Sequence, residues 1–238
     1  MKKIKVNYLT LYFFLISFLC GYIKNTLVIF FIVIFHELGH IIISLILGYK
    51  IKSIELFPFG GITKIDNIYN ASFYKCFLIS IMGVLFQMLL FIFFKDSFFV
   101  KMNFSIMFFN LLPIIPLDGS KMLFELYALF LPFKKTIKCF YITSFIFIII
   151  YILINFKYNF NNYLIIFLLI YKTIEIIKNK SLIYEKFILE KMFYDIKYSH
   201  VKNKNELITN YKKDTKYYYS LNGKILSDKD YLLGKIKI

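Results

Sequence analysis

The stretch Leu27-Val28-Ile29-Phe30-Phe31-Ile32-Val33-Ile34-Phe35-His36-Glu37-Leu38-Gly39-His40-Ile41-Ile42-Ile43-Ser44-Leu45-Ile46-Leu47 decides how this chain is read. It is long and apolar enough to cross a bilayer as one helix. Apart from Ser44, its only polar side chains are His36, Glu37 and His40. Two imidazoles and a carboxylate at membrane depth are costly unless something compensates them. On a helix, His36 and His40 lie four apart and share a face. That spacing lets two ring nitrogens hold one zinc, with the intervening Glu37 as general base. The competing reading is a polar cluster that only ties membrane helices together by hydrogen bonds.

The rest of the chain fits a membrane setting. It is 59% hydrophobic, with 30 Phe, 20 Tyr and no Trp, and its mean hydropathy is +0.66. Such a composition excludes an ordinary soluble domain and points to a polytopic membrane protein. The formal net charge is +16, and every basic residue is Lys. The lysines cluster at span ends and in the C-terminal tail, as membrane topology and an anionic leaflet would require, so nucleic acid is not an expected partner. Cys20, Cys76 and Cys139 form no C-x-x-C pair and are expected to be small packing residues. The basic start followed by an apolar run to Cys20 imitates a secretion signal, but bulky Phe18 and Leu19 precede the Cys, and an uncleaved first span is expected.

Six apolar runs are candidate spans, over residues 8–23, 26–47, 74–94, 98–131, 137–155 and 160–177. The fourth is too long for one crossing and contains Pro113, Pro116 and Gly119, so a discontinuous helix is expected there. Lys2, Lys3, Lys5, Lys50, Lys52, Lys64, Lys75, Lys121, Lys134, Lys135 and Lys138 fall on one side. Lys24, Lys95, Lys101 and Lys157 fall on the other. The bias puts both termini in the cytoplasm. His36 then sits about 16 Å above the cytoplasmic end of its span, at helical rise.

A catalytic zinc needs a third protein ligand. Asp118 is the candidate, set in the apolar run Asn110 to Gly119 with no positive neighbour nearer than Lys121. Broken backbone at membrane depth is tolerated where it lines a cavity. The alternative is a surface Asp that caps a following amphipathic helix over 120–130.

His36-Glu37-Leu38-Gly39-His40 in one span, with Asn110-x-x-Pro113-x-x-Pro116-Leu117-Asp118-Gly119 in a later one, resembles the site-2 protease family of intramembrane zinc metalloproteases. The six spans and Phe57-Pro58-Phe59-Gly60-Gly61 resemble the sporulation branch of that family, the one containing stage IV sporulation protein FB. The resemblance covers about residues 1–190. It implies zinc held by His36, His40 and Asp118, with Glu37 as catalytic base and Asn110 holding substrate or stabilising charge near the metal.

The expected fold is therefore an all-α membrane protein of six transmembrane helices. It has a broken fourth span, a short re-entrant or hairpin loop at 57–61, and a small α/β cytoplasmic tail. Residues 1–180 form the polytopic metalloprotease domain, and 181–238 form a basic tail, read as a partly ordered region held near anionic lipid or, alternatively, as a degenerate regulatory segment. Residues 182–194 have helical spacing of apolar and charged residues. Asn222-Gly223 between apolar runs signals a β-hairpin. The expected function is hydrolysis of a peptide bond in or near the membrane segment of a tethered protein, in the sporulation-like case a transcription-factor precursor. The expected partners are that substrate, the lipid bilayer, and inhibitory or regulatory membrane proteins. The alternative function is a non-proteolytic membrane protein that carries or senses a divalent metal. A base between the ligands argues against it, since a carrier has no need of one.

Overall fold

The computed structural model describes residues 3–6, 8–57, 60–154, 160–193, 198, 200–204, 210–221 and 224–236. The described residues divide into two compact units. One comprises residues 1–66 and 78–112, and the other 67–77 and 113–238.

The first unit begins with strand β1 (Lys3–Val6) and helix α1 (Tyr8–Leu19). Helix α2 (Ile23–Ile46) follows, and strands β2 (Ile51–Phe57) and β3 (Gly60–Ile65) come after it. The largely aliphatic and aromatic sequence of α2 propagates the helix until Gly48 adopts φ +82°. Gly48 N–H then donates to Leu45 O, and Tyr49 N–H to Ser44 O. This pairing satisfies the last helical carbonyls and needs the left-handed residue that glycine supplies. The strands form one sheet in the order β1-β2-β3, with β1 parallel and β3 antiparallel to β2. A hairpin is thus present where one was expected, although Pro58 and Phe59 lie outside the described residues. The strand at the N-terminus was not foreseen. Its four residues are too few to show periodicity, and only the β2 edge gives them a partner.

Helix α3 (Phe73–Phe93) contributes its length from Leu78 onward to this unit, as does α4 (Ser97–Asn110). The Asp96 carboxylate caps α4 by accepting from Phe99 N–H at 3.0 Å. Ile32 of α2, Leu90 of α3 and Phe99 of α4 form the unit's buried apolar centre.

In the second unit, the run expected over 98–131 does not continue as one helix. After α4 the backbone is irregular through the two prolines, with a cis Ile115–Pro116 bond, before α5 (Asp118–Phe130) starts. The break is held from its own side, as Ile115 N–H donates to Ser144 Oγ at 2.9 Å. Ser144 lies on α6 (Phe133–Ile154) and meets Thr173 of α7 (Phe160–Lys178) at 3.2 Å.

Helix α8 (Lys180–Phe193) matches the amphipathic segment read from the sequence. Strands β4 (His200–Lys204), β5 (Thr215–Leu221) and β6 (Lys224–Ser227) then form a second sheet, followed by α9 (Asp228–Ile236). β5 and β6 pair antiparallel as the hairpin signal anticipated, with Asn222 and Gly223 outside the described residues. The core here is aromatic: Phe133 stacks on Phe187 at 4.0 Å, and Tyr211, Tyr217 and Tyr219 close around them.

Among the described residues, three helices are long and apolar enough to cross a membrane: α2, α3 and α6. The α6 residues Leu153 and Ile154 are 70% and 76% exposed, which suits lipid rather than water as the neighbour. α1 is apolar but only 12 residues long.

Candidate metal centre

Both imidazoles of α2 are buried, and their Nε2 atoms face each other at 3.0 Å. The outer nitrogens are engaged. His40 Nδ1 lies 2.7 Å from the Ile79 carbonyl, and His36 Nδ1 lies 2.9 Å from Gln87 Oε1. A backbone carbonyl can only accept, so His40 Nδ1 carries the hydrogen, and the neutral ring presents a bare Nε2. A lone pair aimed at a second imidazole nitrogen at this distance is repulsive unless a proton or a cation lies between them. The donor set therefore suits a borderline-soft metal ion bound through two Nε2 atoms.

The surroundings keep that space open. A Cβ on Gly83 of α3 would stand 2.5 Å from both His36 Cε1 and His40 Nε2. A Cβ on Gly39 would meet the Met82 carbonyl at 2.5 Å, so α2 and α3 approach closely only because glycine occupies that position.

Glu37 projects from the same turn of α2 and is buried. Its carboxylate accepts from Gly61 N–H and from Thr63 Oγ1, both at 3.1 Å. Both donors belong to β3, so the hairpin that follows the span supports the carboxylate. A Cβ on Gly61 would strike Glu37 Cδ at 2.5 Å. Two ring nitrogens and a supported carboxylate within one helical turn are the parts of a hydrolytic metal site.

The family model for peptidase family M50 matches residues 25–101 and 96–154, a span that contains all of these groups. The chain belongs to peptidase family M50. The site-2 protease resemblance drawn from the two motifs is therefore met. Stage IV sporulation protein FB of Bacillus subtilis is 36% identical over 132 residues, which are 50% of this chain and 46% of that protein. A putative zinc metalloprotease of Synechocystis is 30% identical over 114 residues, 42% of this chain and 30% of that protein. The chain thus spans under half the length of each curated relative it matches. The solved site-2 protease of Methanocaldococcus jannaschii aligns with 81% of this chain and 92% of its own, at TM-score 0.51 and 21% identity, a likeness of fold.

The other residues singled out in this M50 chain lie outside that helical turn. Asn110 is the last residue of α4 and is half-buried. Asp118 opens α5 in the second unit and is 3% exposed. It stands one residue inside the helix rather than at its cap. The cap position is Leu117, and Asp118 Oδ1 accepts from Lys121 Nζ at 2.7 Å. Gln87, Asn103, Thr63 and Gly83 were not foreseen. The available signal was the presence of two amides, Gln87 and Asn103, within strongly apolar helical sequence.

Proposed function

We propose that this M50 chain is an intramembrane zinc metalloendopeptidase. It hydrolyses a peptide bond in or near the membrane segment of a tethered protein. The observation that carries the proposal is the His36–His40 pair, with Nε2 atoms converging at 3.0 Å and Glu37 on the same turn. Zinc would be held by His36, His40 and Asp118, three buried residues of the kinds zinc takes. When bound, zinc supplies Lewis acidity and makes water more acidic.

The chain's own residues do the remaining work. Glu37 receives the proton of the attacking water on its carboxylate and returns it to the leaving amide nitrogen. Thr63 and Gly61 hold that carboxylate in place. Asn110 donates a hydrogen bond to the oxyanion that develops on the scissile carbonyl. The apolar helices around α2 limit water, so the substrate segment must unwind locally to present an extended peptide.

The finer reading follows the sporulation relative. The substrate is a transcription-factor precursor, inhibitory or regulatory membrane proteins are further partners, and the chain crosses the membrane six times with both termini in the cytoplasm. The lysine distribution supports that orientation. Residues 1–180 act as the protease domain, and the basic tail regulates it.

Coexpression with a single-span substrate tests the proposal. Glu37→Gln is expected to retain zinc and to abolish cleavage. A variant that still cleaves would refute the mechanism.

A further inference from the structure

Two amides on neighbouring helices of the first unit are buried completely, Gln87 of α3 and Asn103 of α4, both at 0% exposure. Neither takes part in the chemistry above. Buried amides in apolar helices are costly unless every polar atom is matched, and here each is. Asn103 Nδ2 donates to the Gln87 backbone carbonyl at 3.0 Å, and Gln87 Nε2 donates to Asn103 Oδ1 at 3.3 Å. Gln87 Oε1 faces His36 Nδ1 at 2.9 Å.

The order of these contacts leaves one arrangement. The backbone carbonyl of Gln87 can only accept, so it fixes which end of Asn103 points at it. That leaves Asn103 Oδ1 toward Gln87, so the Gln87 side chain must present its NH2 there. Its oxygen is then committed to His36, and an oxygen can only accept. Turning the Gln87 amide over would set oxygen against oxygen at Asn103. A neutral His36 must therefore carry its hydrogen on Nδ1 and leave Nε2 bare, toward His40.

We propose that Gln87 and Asn103 are positioning residues, a buried amide pair that selects the metal-binding tautomer of His36 and holds its ring in place. The proposal rests on the reading of His36 as a zinc ligand. It assigns α4 a part in the site through Asn103, two turns before Asn110. Hydrogen-bond partners of this kind commonly change metal affinity roughly 10- to 100-fold when removed.

The test uses the full chain in detergent micelles, with zinc affinity read by chelator competition and cleavage measured alongside. Gln87→Leu is expected to weaken zinc binding at least roughly tenfold. Asn103→Leu is expected to weaken it less, and the double variant to be no worse than Gln87→Leu, because both act through one contact. Gln87→Glu keeps an acceptor opposite His36 but loses the donor toward Asn103 Oδ1, so it restores one of the two contacts. It should bind zinc about tenfold better than Gln87→Leu, and matching gel-filtration profiles and unfolding temperatures of the two variants separate lost affinity from lost fold. Unchanged affinity in Gln87→Leu, additive losses in the double variant, or a Gln87→Glu form as weak as Gln87→Leu would each overturn the proposal. His36→Ala separates the two levels. If it loses zinc while Gln87→Leu does not, only the amide pair is refuted. If it keeps zinc, the ligand assignment fails as well.

Discussion

Gly83 shows how little space the metal centre leaves. Any side chain there would enter the volume between the two imidazoles, with a Cβ 2.5 Å from His40 Nε2. Gly83→Ala is expected to displace one ring and reduce zinc affinity roughly 10- to 100-fold, the range typical when the orientation of a metal ligand is disturbed. Chelator competition on the purified protein reads this directly. Thr63 is a milder case. Thr63→Val keeps the shape of the side chain and removes the hydroxyl that donates to Glu37 Oε2. A hydrogen bond to a charged group contributes about 1.5–3 kcal/mol, so kcat should fall roughly tenfold or more while bound zinc is unchanged, and Thr63→Ser should restore it. Loss of zinc together with activity would instead assign Thr63 to metal retention.

At the scale of elements, the parts legible in the sequence were those set by local periodicity. The helical turn that pairs His36 with His40 is a property of four consecutive peptide units. The prolines at 113 and 116 would each interrupt the interior of a helix running over 98–131. The helix over 180–193 and the β5–β6 pairing were signalled by patterns a few residues long. Gln87, Asn103 and Thr63 gave no such signal, because their partners lie 51, 16 and 26 residues away along the chain.

Within the second unit, α5 is joined to the C-terminal segment by a buried ion pair. Lys213 Nζ donates to both carboxylate oxygens of Glu125 at 2.6 and 2.7 Å and lies 3.3 Å from Cys76 Sγ. Burial works against the Lys213 charge, yet Cys76 and Glu125 beside it hold its pKa above the ordinary lysine value. Lys213→Met leaves Glu125 buried without its partner and should cost about 3–5 kcal/mol. Thermal unfolding in detergent is the measurement. The Glu125→Leu, Lys213→Met double variant should recover much of the loss.

For the molecule as a whole, the +16 charge and the exposed apolar helices fit a chain that meets both lipid and a charged membrane surface. The C-terminal segment is built differently, with an aromatic core around the buried Lys191. Lys191 Nζ donates to Thr215 O at 2.6 Å and lies over the Tyr198 ring at 4.5 Å. Burial lowers its pKa from 10.5 to about 8, with Asp228 opposing the shift. Below that value both folded and unfolded chains are protonated, and the folded chain bears the full cost of the buried charge. As pH rises from about 8 to 10.5, the folded form releases its proton before the unfolded form does, so stability rises across that window. Unfolding temperatures recorded between pH 7.5 and 10 should show this rise, and Lys191→Met should remove it.

The sequence by itself determined that this chain is a membrane protein with a two-histidine, one-glutamate helical turn and a proline-broken segment leading to Asp118. Hydropathy, helical pitch and the missing N–H of proline act over a few residues and need no partner. Only the tertiary structure decided which tautomer each imidazole adopts, what supports Glu37, and why glycine stands at positions 39, 61 and 83. Those properties depend on atoms brought into hydrogen-bond or van der Waals contact by helices and strands that are remote in the chain, and no local pattern encodes the approach.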